Sequence, residues 1–245
     1  MDTALAMVCG AGARGVKIFR LVAAIGLALA LAGCADRWTY RFKLTLDVEI
    51  DGQVRSGSGV IQVFKAYNEH SLGGNVISSA LRGEAVAIDF GSRGVLFATL
   101  KYKTQDVDIL PTLAFIRTGL IPDDVKMTGG LSYKQRIRVQ TEALEKLRAK
   151  TALLVPQEMP FLVRFRDLKN PMSVEEVQPG NLAATFGGGA RLLRATIEMT
   201  DAPVTTGIET RLPWLEGLKG GFLNGSQYGT KDVPYGLQAS NFQWK

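Results

Sequence analysis

Tyr40 to Ile50 constrains this chain more than any other stretch. Tyr40, Phe42, Leu44, Leu46, Val48 and Ile50 alternate with Arg41, Lys43, Thr45, Asp47 and Glu49. A period of two sends successive side chains to opposite faces, so the segment predicts a strand with one buried and one wet face. Asp51-Gly52 follows at once and reads as a tight hairpin turn. The return strand is expected over Val60 to Phe64. Between them, Ser56-Gly57-Ser58-Gly59 interrupts the pattern. Two readings stand there: a bulge, which is the simpler, or close approach of a ligand backbone.

Ala66 to Gly83 reads as a connection, followed by a second hairpin of Glu84 to Phe90 and Val95 to Lys101. This gives four antiparallel strands by residue 103. Ile109 to Ile121 is apolar and punctuated by Pro111 and Pro122. It reads as a short buried helix or a loop covering the sheet, with a lid over an apolar ligand as the lesser alternative.

Ser132 begins the main predicted helix, running to Leu154. Ser132 and Gln135 match a capping box, in which each side chain satisfies a free backbone N–H. Tyr133, Ile137, Leu144, Leu147 and Leu154 form one stripe at helical spacing. Glu142 and Lys146 are spaced as an i,i+4 pair. Lys134, Arg138, Lys146 and Lys150 then make a solvated basic face; the competing reading is a surface for anionic headgroups or another anionic envelope polymer. Further on, Phe161 to Arg166, Val174 to Val177 and Arg191 to Thr200 read as strands. Asn181 caps a short helix through Phe186, and Thr206 with Glu209 matches a second capping box. The Gly- and Pro-punctuated tail ends in Phe242-Gln243-Trp244, expected to dock on the core. The fold class is therefore α+β: a mostly antiparallel sheet, one long amphipathic helix packed on it, and short additional helices.

The amino terminus carries a different kind of signal. Arg14, Lys17 and Arg20 precede an uncharged run from Leu21 to Ala35. As a helix that run spans roughly 22 Å, short of a hydrocarbon core of ~30 Å. It suits a signal-peptide core better than a membrane span. The run contains Leu31-Ala32-Gly33-Cys34, which resembles the lipobox of bacterial lipoproteins. The resemblance implies diacylglyceryl transfer to Cys34, cleavage before it, and usually N-acylation of the new terminus. Several acyl chains on Cys34 would hold the protein on a membrane, where one chain binds only reversibly. In this class an Asp directly after the cysteine often signals inner-membrane retention. Here Ala35 holds that position, which implies the outer membrane, with the mature part in the periplasm. Residues 1–33 are thus expected as signal and 34–245 as one lipid-anchored domain. The compact basic segment beginning at Val16 suggests initiation there, in which case Cys9 does not exist.

The segments Phe165-Arg166-Asp167, Asn181-Leu182-Ala183-Ala184-Thr185-Phe186-Gly187, Arg194-Ala195-Thr196-Ile197-Glu198 and Val204-Thr205-Thr206-Gly207-Ile208-Glu209 resemble proteobacterial lipoproteins of unassigned activity. That likeness transfers no functional residues.

Charge and composition narrow the chemistry. Loss of Arg14, Lys17, Arg20 and Asp2 with the signal would take the formal +6 of the chain to about +4. That excess is mild, no nucleic-acid motif accompanies it, and no nucleic-acid partner is expected. Acylation would consume the one remaining thiol, leaving neither disulfide nor thiolate nucleophile. His70 is the sole histidine, so zinc sites built on two histidines are excluded within one chain. Glu69-His70-Ser71 is adjacent in sequence, which does not make a relay, and no G-x-S-x-G elbow occurs. Asp106/Asp108, Asp123/Asp124 and Glu175/Glu176 are paired acids, yet adjacency does not show two carboxyls facing across a cleft. Asp106-Val107-Asp108 lacks the further ligands and glycine of a calcium loop. No cofactor or metal is expected. The sequence points to a non-enzymatic binding or structural role in the cell envelope, through an envelope protein or anionic polymer. The alternatives are a carboxylate-dependent hydrolase of an envelope glycan and a carrier of an apolar ligand.

Overall fold

The structure, a computed structural model, describes residues 36–71, 74–102, 107–122, 130–218, 221–225 and 236–245. The segment holding Leu31 to Cys34, and Asp106, Asp123 and Asp124, lie outside them, as does the side chain of His70.

The first strand forms where the alternation places it. β1 runs Asp36–Ile50, and Phe42, Leu44, Leu46 and Val48 are almost wholly buried. Asp51 and Gly52 both take positive φ, 51° and 76°, as a two-residue type I′ hairpin requires. The chain returns as β2, Gln53–Ser71, and turns again into β3, Gly74–Glu84. The stretch read as a connection is thus a long hairpin, with Lys65 opposite Ser79 and Tyr67 opposite Ile77. β4 (Val86–Asp89) and β5 (Val95–Tyr102) follow, so five strands, not four, precede residue 103.

The remaining strands are β6 (Thr151–Leu153), β7 (Pro160–Phe165), β8 (Val174–Val177), β9 (Arg191–Met199) and β10 (Gln243–Trp244). They make two sheets, ordered β10-β3-β2-β1-β9-β6 and β4-β5-β7-β8. Inner residues of both sheets share one core, in which Phe42, Leu44 and Ile197 meet Ile88, Leu96 and Leu162. A second core lies on the other face of the four-stranded sheet. There the tail lays Ile208, Leu212, Leu215 and Phe242 over Phe97, Val163 and Phe165. Phe242 docks as expected, whereas Trp244 is 45% exposed.

The expected long helix is not there, and the α+β assignment is corrected on that ground. Among the described residues the α-helices are α1 (Leu110–Arg117), α2 (Tyr133–Glu145) and α3 (Ala183–Phe186); α2, the longest, has 13 residues. α2 starts as predicted: the Ser132 hydroxyl accepts from Gln135 N at 3.4 Å, and Ser132 N donates to the Gln135 side chain at 2.8 Å. It stops short of Leu154 because the chain reverses through Ala149, φ 60°, and residues 151–153 pair with β9 instead. Sheet pairing overrode a continuous helical stripe. Glu142 meets Arg138 at 3.7 Å rather than Lys146. The second capping box also fails. Gly207, at φ 114°, precedes a single 3-10 turn at Ile208–Thr210, and the Glu209 carboxylate accepts from Gln243 instead.

The outer face of the six-stranded sheet is a ladder of cross-strand ion pairs. Lys43 meets Glu198 at 2.7 Å, Asp47 meets Arg194 at 2.5 Å and Glu49 meets Arg191 at 2.8 Å. Each pair sits at directly opposed positions of β1 and β9. The Ser56 hydroxyl, donating at 2.5 Å, and then Arg194 hold the Asp47 carboxyl below its usual range. A depressed folded value gives stability that is present above the unfolded pKa of about 3.9 and is lost as pH falls through the lower folded value. Asp47→Asn should therefore cost about 1 kcal/mol at pH 7, since Arg194 is largely exposed. The deficit should shrink below pH ~4. Urea unfolding at both pH values checks this; a deficit that grows in acid would reverse the assignment.

Candidate functional site

The inner face of the β2–β3 hairpin runs past the apolar core. Lys65 follows Ile61 and Val63 at the same parity, and Ser79 stands opposite it. Here α1 and α2, rather than the second sheet, face the hairpin. They enclose a cavity of about 460 Å³, partly open to solvent. Each helix contributes one stripe. Ile109, Thr112 and Leu113 come from the start of α1, and Tyr133, Arg136, Ile137 and Gln140 from one face of α2.

The polar groups are arranged unequally. Asp108, just before α1, accepts from the Ser79 hydroxyl at 2.8 Å and lies 3.5 Å from the Lys65 ammonium. Its backbone carbonyl accepts from the Tyr40 hydroxyl, tying the start of β1 to the cavity wall. Burial, and then the Asp108 charge, push the Tyr40 phenol well above its ordinary pKa, so it stays a neutral donor. Arg136 differs. Its guanidinium lies over the Tyr133 ring at 4.9 Å, but its Nε–H is buried without a hydrogen-bond partner among the described residues.

Of the acids weighed from the sequence that fall among the described residues, only Asp108 lines this cavity. Glu175 is held by Arg164 at 2.7 Å and by Arg166, which together bring its carboxyl below the usual range, the Arg166 bond weighing most. Glu176 accepts from Gln178 at 2.9 Å. Glu158, 7% exposed, is clasped by Arg117 at 2.8 and 3.0 Å, a structural ion pair away from the cavity. Among the described residues no group of three or more His, Cys, Asp or Glu is placed to hold a metal. None of their helices is long and apolar enough to cross a membrane.

Lys65, Ser79, Arg136 and Gln140 escaped sequence reasoning. Lys65 and Ser79 fell within or beside a stretch read as a connection. Arg136 and Gln140 lie within α2 and looked like two more polar positions on it. One signal was available: Tyr133, Arg136, Ile137 and Gln140 recur at helical spacing, a mixed stripe rather than an apolar one.

No family model matches the chain, and neither the curated proteins nor the solved structures contain a match.

Proposed function

We propose that this chain is a lipid-anchored cell-envelope protein that works by binding rather than by catalysis, with the cavity between the β2–β3 hairpin and α1–α2 as its binding site. The observation that carries the binding reading is the engaged state of Asp108. It is the one carboxylate among the described lining residues, and Ser79 and Lys65 already hold it. Glycan hydrolysis needs two carboxyls facing across a cleft, one of them free to move a proton. A carrier of a purely apolar ligand fits less well too, because Lys65, Asp108, Arg136 and Gln140 line the same space. The anchor rests on the lipobox resemblance at Leu31 to Cys34 and the short apolar run before it. Ala35 after Cys34 favours the outer membrane, with the mature part in the periplasm.

Photocrosslinking in cell membranes tests both parts with the full chain. Benzoylphenylalanine placed at Ile109, on the cavity rim, should yield adducts with an envelope component. Placed at Val54, at the opposite end of β2, it should not. The mature amino-terminal peptide should begin at acylated Cys34, and Cys34→Ala should leave uncleaved precursor. A fragment starting at unacylated Cys34 would sink the anchor. Equal adducts from both positions, or none from Ile109, would sink the binding site.

A further inference from the structure

We infer that the cavity takes a small organic oxyanion, a carboxylate or phosphomonoester with an apolar body, whose oxygen is received by Arg136. This deepens the binding reading above and rests on it.

Charge comes first. Lys65, Asp108 and Arg136 are the residues of full charge among those lining the cavity. Lys65 and Asp108 lie 3.5 Å apart and offset one another. Arg136 is left as the uncompensated positive charge among the described lining residues, which suits an anionic group on a ligand.

Hydrogen bonding comes next. A buried N–H is almost always paired, and a charged one that is not marks a place where an acceptor belongs. The Tyr133 ring covers a face of the Arg136 guanidinium but offers its Nε–H edge no acceptor. Oxyanions suit that edge, because the planar guanidinium meets carboxylate and phosphate oxygens in its own plane. Gln140 lies one helical turn beyond Arg136 on the same stripe and adds an amide to the same wall.

Shape then limits the rest of the ligand. Ile109, Leu113 and Ile137 add apolar surface to the same lining. Its volume of about 460 Å³ lies in the range of small-molecule sites, ~300–1,000 Å³. A neutral apolar compound would leave the guanidinium unmet. A cation would face Arg136 directly.

The test uses the full chain in its membrane and a diazirine-bearing octanoate as the probe. Labelling should fall on the peptides of α1 and α2. Arg136→Gln should lower it about tenfold, the ordinary scale for loss of a charge-assisted hydrogen bond. Arg138→Gln, two residues along on the exposed face, should label as wild type. Octanoate and octyl phosphate should compete, and the stronger of the two identifies the headgroup. Octanol and octylammonium should not. If Arg136→Gln fails to fold, Arg136→Lys serves instead: it keeps the charge, loses the Nε–H, and should label at an intermediate level. Unchanged labelling in either folded variant would overturn the assignment, as would octanol competing as well as octanoate. Adducts from Ile109 that persist in that case would leave the binding reading standing and remove only the anion.

Discussion

Leu46→Asp should unfold the protein or bring it close to that point, while Thr45→Asp, one residue away, should barely register. Leu46 is fully buried on β1, in the core shared by both sheets. Truncation of such a leucine alone costs about 2–5 kcal/mol. The aspartate adds a carboxyl with no partner, either charged in an apolar site or protonated and still short of hydrogen bonds. The combined loss, about 4 kcal/mol or more, is comparable with the whole stability of many domains, ~5–15 kcal/mol. Thr45 points the other way, between Lys43 and Asp47 on the ion-paired outer face, opposite Thr196. A charge there stays hydrated, and its cost should remain under about 1 kcal/mol. Chemical denaturation of both variants measures the contrast. Equal midpoints would mean that the two faces of β1 are assigned the wrong way round.

That contrast was readable from the sequence because β1 obeys its period without exception over eleven residues. Elsewhere the period was present but misled. Leu193, Ala195, Ile197 and Met199 alternate as though all four faced inward. Three are buried, yet Leu193 is 40% exposed and Leu192 packs against the core in its place. The pairing explains it: Asp47 stands opposite Arg194 but Val48 opposite Leu192, so one residue of β9 is skipped. Such an irregularity flips every side chain beyond it, and it depends on a partner strand far away in sequence. The end of α2 was hidden for a similar reason. Leu147 and Leu154 continue the helical stripe, and only the affinity of residues 151–153 for β9 ends it earlier.

The cavity was the least legible part. Its walls come from a hairpin and two helices separated by up to 75 positions from Lys65 to Gln140, and no local pattern relates them. Asp108 was visible only as half of a pair with Asp106. What distinguishes it is a meeting with Lys65 and Ser79 that the β2–β3 register creates. Arg136 had no signal as a single residue, since an arginine on an amphipathic helix is ordinarily solvated.

Gly57→Ala should cost about 1–3 kcal/mol, whereas Gly180→Ala should change stability by no more than about 0.5 kcal/mol. The same methyl is added in each case, so the difference reports only what surrounds it. A Cβ on Gly57 would come 2.6 Å from Ile88 Cγ1 and 3.0 Å from the Ala87 carbonyl oxygen. A Cβ on Gly180 would meet nothing within 4 Å. The Ile88 side chain can turn aside at some cost, but the Ala87 oxygen belongs to the backbone of β4 and cannot leave without disturbing its pairing to Phe97. Gly59 lies in the same position relative to Val86, at 3.2 Å. The small residues between Ser56 and Gly59 therefore admit a close-approaching backbone, but it is that of the chain's own second sheet and not of a ligand. β2 continues through them as strand. This contact sets how closely the two sheets approach near the β1–β2 turn, and Ile88 belongs to the core they share. A Gly57→Ala variant as stable as wild type in urea would mean that the sheets do not meet there.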